Sequence, residues 1–180
     1  MNTTSKTLTI SFSALWSAYP NTTPYTDPKT NEAPKGYENQ CAIKVSVALA
    51  RVGVKLTTFR GATVQVNGDR AAIRAEQLAA WLKAGNISGL PAVAETVTGS
   101  DWRSKLVNRR GIVYFADYWL RPGESRPSGD HIDLWNGSRL TASGLAGTLV
   151  TIARFGMGIE AGPGFSDLGK SKSILFWALK

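Results

Sequence analysis

Residues 39–49 read NQCAIKVSVAL, and they predict a helix that carries the only cysteine of the chain in its first turn. The helix is expected to run over about residues 40–51 and to stop at Gly53, with Asn39 as a candidate N-cap. An apolar stripe at the spacing of one helix face is formed by Cys41, Val45, Ala48, Leu49 and Val52. A thiol at the start of an otherwise apolar helix is therefore the first candidate functional feature.

The only histidine lies in a second informative stretch, residues 129–137, which read GDHIDLWNG. This stretch predicts a strand, and the period of two places His131, Asp133 and Trp135 on one face. The Cα atom of Asp133 is then ~7 Å along the strand from that of His131. The Asn-Gly pair that ends the stretch favours a two-residue type I′ turn.

The rest of the chain predicts helices before strands, without internal repeats. Further helices are expected over residues 11–18 and 74–84 and from about 100 to 108, and further strands over 63–66, 112–118 and 173–179. Residues 21–38 hold three prolines and form a long loop, a kind of segment that is often functional. We expect an α+β fold in one domain over residues 1–180, with the cysteine-bearing helix packed on an antiparallel sheet.

The composition restricts the kinds of site that the chain can hold. A length of 180 residues with 43% hydrophobic content suits a folded domain rather than a disordered chain. A single cysteine excludes an internal disulfide, a cysteine-rich zinc site and a CxxC redox motif. One cysteine and one histidine also argue against a structural metal, so we expect neither a metal nor another cofactor.

Membrane insertion is not expected, because no apolar run approaches the ~20 residues that span a bilayer. Residues 1–10 are polar and lack the apolar stretch of a signal peptide. If the protein acts outside the cytoplasm, something other than the general secretion route is expected to carry it there.

A net charge of +8 favours an anionic partner. Nucleic acid is a poor match, because the 21 basic residues are scattered and the chain has no zinc-finger spacing, RNP-like aromatic motif or basic heptad. A solvated basic surface is the simpler interpretation.

Cys41 and His131 each have two interpretations. A buried cysteine is a common core residue, and Cys41 lies on the apolar stripe. At a helix N-terminus, however, the unpaired N–H groups and the helix dipole stabilise a thiolate and can bind an oxyanion. His131 is either an ordinary packed residue or the base that a sulfur nucleophile needs. Together the two residues form a candidate catalytic pair.

The motif Cys-x-Ile-(Lys/Arg)-x-Ser at residues 41–46 is followed by His-x-x-Leu-Trp-Asn-Gly at residues 131–137, with residues 111–113 between them. These motifs resemble those of the type VI secretion amidase effectors of family four. The resemblance covers most of the chain, from Trp16 to the last apolar strand. That family is similar to papain-like, NlpC-type peptidoglycan hydrolases, so the resemblance implies a papain-like cysteine hydrolase fold.

The resemblance implies an antibacterial cysteine amidase that cleaves peptidoglycan stem peptides between γ-D-glutamate and meso-diaminopimelate. It also implies injection by the type VI secretion apparatus from the producer cytoplasm into the periplasm of rival bacteria, which would account for the missing signal peptide. A cognate immunity protein in the producer is a further implied partner. Carboxylate-rich stem peptides would suit the basic charge of the chain.

Within this reading Cys41 is the nucleophile and His131 is the base. Trp135, Tyr114 and residues 21–38 are candidates to line the substrate groove. The disulfide of some family members cannot form, because the chain has one cysteine.

The third catalytic residue departs from the family pattern. The family places an aspartate eleven residues after the histidine, where this chain has Ala142, and a two-residue turn would put Ala142 opposite His131. Asp133 is the nearest carboxylate that could orient His131. The other options are Thr141, Ser143 or a dyad whose histidine bonds only to backbone or water.

Two other classes of protein stay open. A papain-like protease or deamidase toxin that acts on a protein substrate would use the same pair, and substrate assays separate it from an amidase. A non-enzymatic basic binding module is the second alternative, and Cys41→Ser would then be silent.

Overall fold

The computed structural model describes residues 10–85, 87, 89–119, 123–141 and 168–180. The helices are α1 (Phe12–Ala18), α2 (Cys41–Arg51), α3 (Ala75–Lys83) and α4 (Trp102–Leu106). The strands are β1 (Thr63–Val66), β2 (Asp69–Ala72), β3 (Glu95–Thr96), β4 (Gly111–Trp119), β5 (Gly129–Trp135) and β6 (Ser173–Ala178). The predicted α+β class is confirmed, and none of the described helices is long and apolar enough to cross a membrane.

An antiparallel sheet contains β3, β6, β4 and β5 in that order, while β1 and β2 form a separate hairpin. Phe115 of β4 pairs with His131 of β5 on one side and with Ile174 of β6 on the other. The β1–β2 turn has Asn67 at φ 50° and Gly68 at φ 83°. These left-handed values are those that a type I′ turn requires, and β1 has the bounds predicted for the strand over residues 63–66.

Apolar side chains cover both faces of the sheet. One cluster joins it to α1, α2 and α3, and its sheet members are Ile112, Tyr114, Ile132, Leu134 and Trp177. The other joins it to α4 and includes Val113, Phe115, Trp135, Trp102 and Leu106. Neighbouring residues of β4 and β5 fall in different clusters because side chains alternate across a strand. As a result α2 packs against β5 through the first cluster.

The helix α2 begins within one residue of its predicted start, but it is buried all round rather than on one face. Every residue from Ala42 to Ala50 is buried, including the polar Lys44 and Ser46. The reason is the β1–β2 hairpin, which covers the second side of α2. The Ser46 hydroxyl accepts a hydrogen bond from the N–H of Ala72 at 3.0 Å and so fixes β2 to the helix.

The predicted N-cap, Asn39, is wrong. Gln40 occupies the N-cap position, and no side chain caps α2. The Gln40 amide instead binds the backbone of Tyr25, where Oε1 accepts from the N–H at 3.1 Å and Nε2 donates to the carbonyl at 2.6 Å. Gln40 therefore holds the loop of residues 21–38 against the start of α2, and the N–H groups of the first turn carry no side-chain cap.

The turn after β5 is shifted by one residue from its predicted place. The N–H of Asn136 donates to the carbonyl of Arg139 at 3.1 Å, so Gly137 and Ser138 form the turn. The side-chain oxygen of Asn136 accepts from the N–H groups of Ser138 and Arg139. These local hydrogen bonds favour Asn136 in the position just before the two turn residues rather than as the first of them.

The shifted turn changes the predicted register beyond β5. Trp135 bridges Leu140, and the N–H of Thr141 donates to the carbonyl of Leu134 at 3.2 Å. The predicted alignment of Ala142 with His131 assumed a turn at Asn136 and Gly137, and the observed turn lies one residue later. Ala142 itself, like Ser143, lies outside the described residues.

Candidate active site

Cys41 is the first residue of α2 and is half-buried. Its sulfur interacts with the His131 side chain and accepts a hydrogen bond from the N–H of Ile132 in β5. Burial by itself raises the pKa of the thiol, but the His131 hydrogen bond and positive charge, with the Ile132 N–H, outweigh burial. The pKa of Cys41 therefore lies below its ordinary value, as a nucleophilic thiol requires.

His131 is held on β5 between aromatic rings and a carboxylate. Its ring stacks on Phe115 with centroids 6.3 Å apart and meets the edge of Tyr118 at 6.4 Å. Nε2 lies 3.4 Å from Oδ2 of Asp133. Burial lowers the pKa of His131, but the contacts with Asp133 and Cys41 raise it by more, so its pKa lies well above the ordinary value.

Asp133 is buried, with 3% of its surface exposed. Its Oδ1 atom accepts hydrogen bonds from the N–H of Leu134 at 2.8 Å and from the hydroxyl of Thr141. Its Oδ2 atom is then left to face His131. The structure thus brings together Cys41, His131 and Asp133, while Thr141 contacts the carboxylate.

Two residues that the sequence analysis did not single out interact with Cys41 or Asp133. The hydroxyl of Tyr19, at the end of α1, interacts with Asp133 and Thr141. Lys44, in the second turn of α2, is 6% exposed and is attracted by the charges of Asp133 and Cys41. A lysine inside an apolar helix was a usable signal, whereas nothing in the sequence ties Tyr19 to the site.

A cleft of about 1390 Å³ opens beside Cys41. The loop of residues 21–38 contributes only Gly36, Tyr37 and Glu38 to the described wall of the cleft. Tyr114 of β4 also lines the cleft, as predicted for a groove residue. The charged residues of the wall are mostly acidic: Glu38, Glu76, Asp117, Glu124 and Asp130, against Arg74 and Lys172. The cleft is therefore acidic although the whole chain is basic.

Asp130 organises the sheet side of the cleft. Its Oδ1 atom accepts hydrogen bonds from the hydroxyl of Tyr114 and from the N–H of Asp117, both at 3.1 Å. Asp117 has a φ of 49°, a left-handed value that is unfavourable for a residue other than glycine. The hydrogen bond from Asp117 therefore supports a strained backbone position in the wall.

The prediction that Trp135 lines the groove is wrong. Trp135 is 2% exposed, and its indole Nε1 donates to the carbonyl of Leu106 at 2.9 Å. Its ring packs edge-on against Trp102 of α4 at 5.2 Å. The physical reason is that α4 covers the face of the sheet on which Trp135 lies.

Among the described residues, no group of three or more His, Cys, Asp or Glu side chains is placed to hold a metal ion.

Fold and site together define an α+β protein with a contiguous thiol, imidazole and carboxylate beside a cleft. The chain belongs to the family of type VI secretion system (T6SS) amidase effector protein 4, Tae4, whose family model matches residues 37–177. The recognition made from the cysteine and histidine motifs is confirmed. No curated protein sequence matches the chain.

Solved structures of Tae4 share the fold. The type VI effector Tae4 from Enterobacter cloacae superposes with a TM-score of 0.58 at 18% identity, over 94% of this chain and 96% of that chain. The effector–immunity complex Tae4–Tai4 from Salmonella Typhimurium gives a TM-score of 0.60 at 17% identity, over 94% and 98%. Tae4 from Salmonella typhimurium in complex with the immunity protein Tai4 from Enterobacter cloacae gives 0.52 at 18% identity, over 80% and 77%.

Proposed function

We propose that the protein is a papain-like cysteine amidase, one domain over residues 1–180, that hydrolyses peptidoglycan stem peptides of a target bacterium. Membership of a family of amidase effectors supports hydrolysis of an amide bond. The observation that carries the mechanism is the chain of contacts from Cys41, which lines the cleft, to His131 and from there to Asp133.

Cys41 attacks first. Its lowered pKa and the raised pKa of His131 favour a thiolate–imidazolium pair in the resting enzyme. The thiolate attacks the amide carbonyl carbon and forms the S–C bond, and the electron pair moves to the carbonyl oxygen. The N–H groups of the first turn of α2 have no carbonyl four residues earlier to bond, so they are the proposed donors to the oxyanion.

His131 then moves the protons. The imidazolium donates its proton to the amine nitrogen as the C–N bond breaks, which leaves a thioester on Cys41 and a neutral imidazole. The imidazole takes a proton from water, whose oxygen attacks the thioester. Collapse releases the carboxylic acid and restores the thiolate–imidazolium pair. Asp133 stabilises the imidazolium at each stage through its Oδ2 contact.

The proposed scissile bond joins γ-D-glutamate to meso-diaminopimelate, on the basis of the family resemblance. The described wall of the cleft carries more carboxylates than cations, which suits the free amino group of diaminopimelate rather than its carboxylates. The net charge of +8 would act at longer range, by attracting the protein to the anionic wall.

The proposed biological setting is interbacterial injection. We propose that the type VI apparatus delivers the protein to the periplasm of a rival cell, where its substrate lies. A cognate immunity protein in the producer is the proposed inhibitory partner, by analogy with the Tae4–Tai4 complexes that share its fold.

The test is digestion of purified stem peptides and muropeptides by the full chain, with products identified by mass. Hydrolysis between γ-D-glutamate and diaminopimelate is expected with the wild type and not with Cys41→Ala. Cleavage of proteins but not of muropeptides would favour a protease or deamidase. A wild type that cleaves nothing and a silent Cys41→Ser would favour a binding module.

A further inference from the structure

Two buried hydroxyl groups contact Asp133. Thr141 and Tyr19 are each 6% exposed. The Thr141 hydroxyl donates to Oδ1 of Asp133, and the Tyr19 hydroxyl interacts with both Asp133 and Thr141. Tyr19 follows α1 and Thr141 follows the turn after β5, so residues far apart in sequence meet at one carboxylate.

These hydroxyls bear on which way the carboxylate points. A buried carboxylate needs hydrogen-bond donors, and the Oδ1 atom of Asp133 has two, the Leu134 N–H and the Thr141 hydroxyl. The torsion about the Cβ–Cγ bond of an aspartate is soft. Without hydrogen bonds to Oδ1, the Asp133 carboxyl could therefore rotate away from His131. With Oδ1 held, Oδ2 stays 3.4 Å from Nε2 of His131.

We propose that Tyr19 and Thr141 are positioning residues whose hydroxyls hold Asp133 in the rotamer that supports His131. The inference rests on the proposed function of the Cys41–His131 pair. Tyr19 lies outside residues 37–177, the part matched by the family model. Thr141 directly precedes Ala142, so this chain fixes a carboxylate of β5 with hydroxyl groups instead of supplying an aspartate after the turn.

The charged groups around Asp133 come from three parts of the fold. His131 faces it within β5, Tyr19 faces it from the end of α1, and Lys44 and Cys41 interact with it from α2. Replacing a neutral hydroxyl by a methyl group or a hydrogen leaves all of these charges in place near neutral pH. A change in the pKa of His131 in such a variant therefore reports on the geometry of the Asp133 contact.

His131 is the only histidine, so its pKa can be measured directly by NMR titration of the untagged full chain. The variants are Tyr19→Phe, Thr141→Val and the conservative Thr141→Ser. Ser171→Ala is the matched control, because Ser171 is buried and its hydroxyl donates to the carbonyl of Leu168 at 2.7 Å. Kinetics on stem peptides and thermal unfolding complete the set.

We expect Tyr19→Phe and Thr141→Val to lower the pKa of His131 and to move the alkaline limb of kcat/KM to lower pH. In both variants kcat should fall roughly tenfold, the lower end of the loss seen when a residue that orients a metal-binding histidine is removed. KM should change by less than about twofold. Thr141→Ser should restore the wild-type pKa, and Ser171→Ala should lose thermal stability alone.

An unchanged His131 pKa in both Tyr19→Phe and Thr141→Val would overturn the inference. A loss of kcat in these two variants without a shift in the His131 pKa would also overturn it. So would a Thr141→Ser variant whose His131 pKa is as low as that of Thr141→Val. The titration needs no substrate, so it tests the inference even if the wild type does not cleave stem peptides. That last outcome would contradict the proposed function instead.

Discussion

The imidazole Nε2 of His131 lies 3.4 Å from Oδ2 of Asp133, two residues further along the same strand. Side chains two apart share a face of a strand, which is why so short a sequence separation can provide the contact. Burial would lower the pKa of His131, but Asp133 is the leading cause among those that raise it. The carboxylate that this chain offers to its histidine thus lies within β5.

We expect Asp133→Asn to lower kcat far more than it changes KM, since stabilising the imidazolium matters most in the transition state. The loss of the corresponding aspartate in a serine protease costs ~10⁴-fold, which is an upper limit here because a thiolate relies less on its base. Steady-state kinetics on stem peptides provide the measurement. Asp69→Asn is the control, because Asp69 pairs with Lys55 at 2.5 Å at a partly exposed position away from Cys41 and His131. A wild-type kcat in Asp133→Asn would show that Cys41 and His131 act as a dyad.

Cys41→Ala should abolish hydrolysis and leave the fold intact. The thiol is half-buried at the first position of α2, so the remaining buried residues of the helix keep their packing. Product mass spectrometry and circular dichroism are the two measurements. When the protein is directed to the periplasm of a test strain, only the wild type should be toxic. Equal toxicity of the two forms would remove Cys41 from the mechanism.

The dependence of kcat/KM on pH should be a broad bell. The thiolate forms as pH rises through the pKa of Cys41, which is lowered, and the imidazolium is lost as pH rises through the pKa of His131, which is raised. Unperturbed groups titrate at about 8.5 and about 6.5, in the opposite order, and would give almost no ion pair. His131→Ala should remove the alkaline limb and most of the activity. Full activity in that variant would exclude His131 as the base.

The sequence was sufficient to predict the parts of the molecule that depend on local patterns. Strand β1 has the bounds predicted over residues 63–66, and α2 follows from its run of apolar residues. Cys41 and His131 were identifiable because each is the only residue of its type. Asp133 followed from the period of two in β5, and the structure brings its carboxylate to the imidazole.

Among the features that the sequence misplaced or missed, the positions of Trp135 and Tyr19 depend on tertiary neighbours, whereas the turn after β5 depends on the local hydrogen bonds of Asn136. Trp135 is an aromatic residue on the same strand as His131, which suggested a place in the groove. However, α4 covers its face of the sheet, and no local sequence pattern predicts that contact. The side-chain oxygen of Asn136 accepts hydrogen bonds within the turn, so the turn lies one residue later than predicted. The partner of Trp135 is therefore Leu140, two residues beyond the partner that the predicted turn implied. Tyr19 reaches the site only because α1 packs beside α2, a contact that no spacing encodes.

Asp130→Ala should lower the free energy of unfolding and disturb the part of the cleft wall that the sheet contributes. The change removes the acceptor for the Tyr114 hydroxyl and for the N–H of Asp117, whose left-handed backbone then lacks support. Each lost hydrogen bond is worth about 0.5–1.5 kcal/mol, so unfolding should cost less free energy by roughly 1–3 kcal/mol. We also expect a higher KM with a smaller change in kcat. Asp130→Asn keeps an acceptor oxygen and should retain most of both properties; equal effects of the two variants would mean that the charge of Asp130 matters rather than its hydrogen bonds.

Trp135→Phe should change stability and leave the kinetics alone. Phe keeps most of the apolar contact with Trp102 but cannot donate to the carbonyl of Leu106, which the indole binds at 2.9 Å. The Leu106 carbonyl keeps the N–H of Arg109 at 3.1 Å, so the loss of one of its two donors should cost about 0.5–1.5 kcal/mol of unfolding free energy, measurable by urea denaturation. Because the ring is 2% exposed, substrate has no surface of Trp135 to contact, and KM should stay within about twofold of the wild type. A stable Trp135→Phe protein with a strongly raised KM would contradict this placement and return Trp135 to the substrate groove.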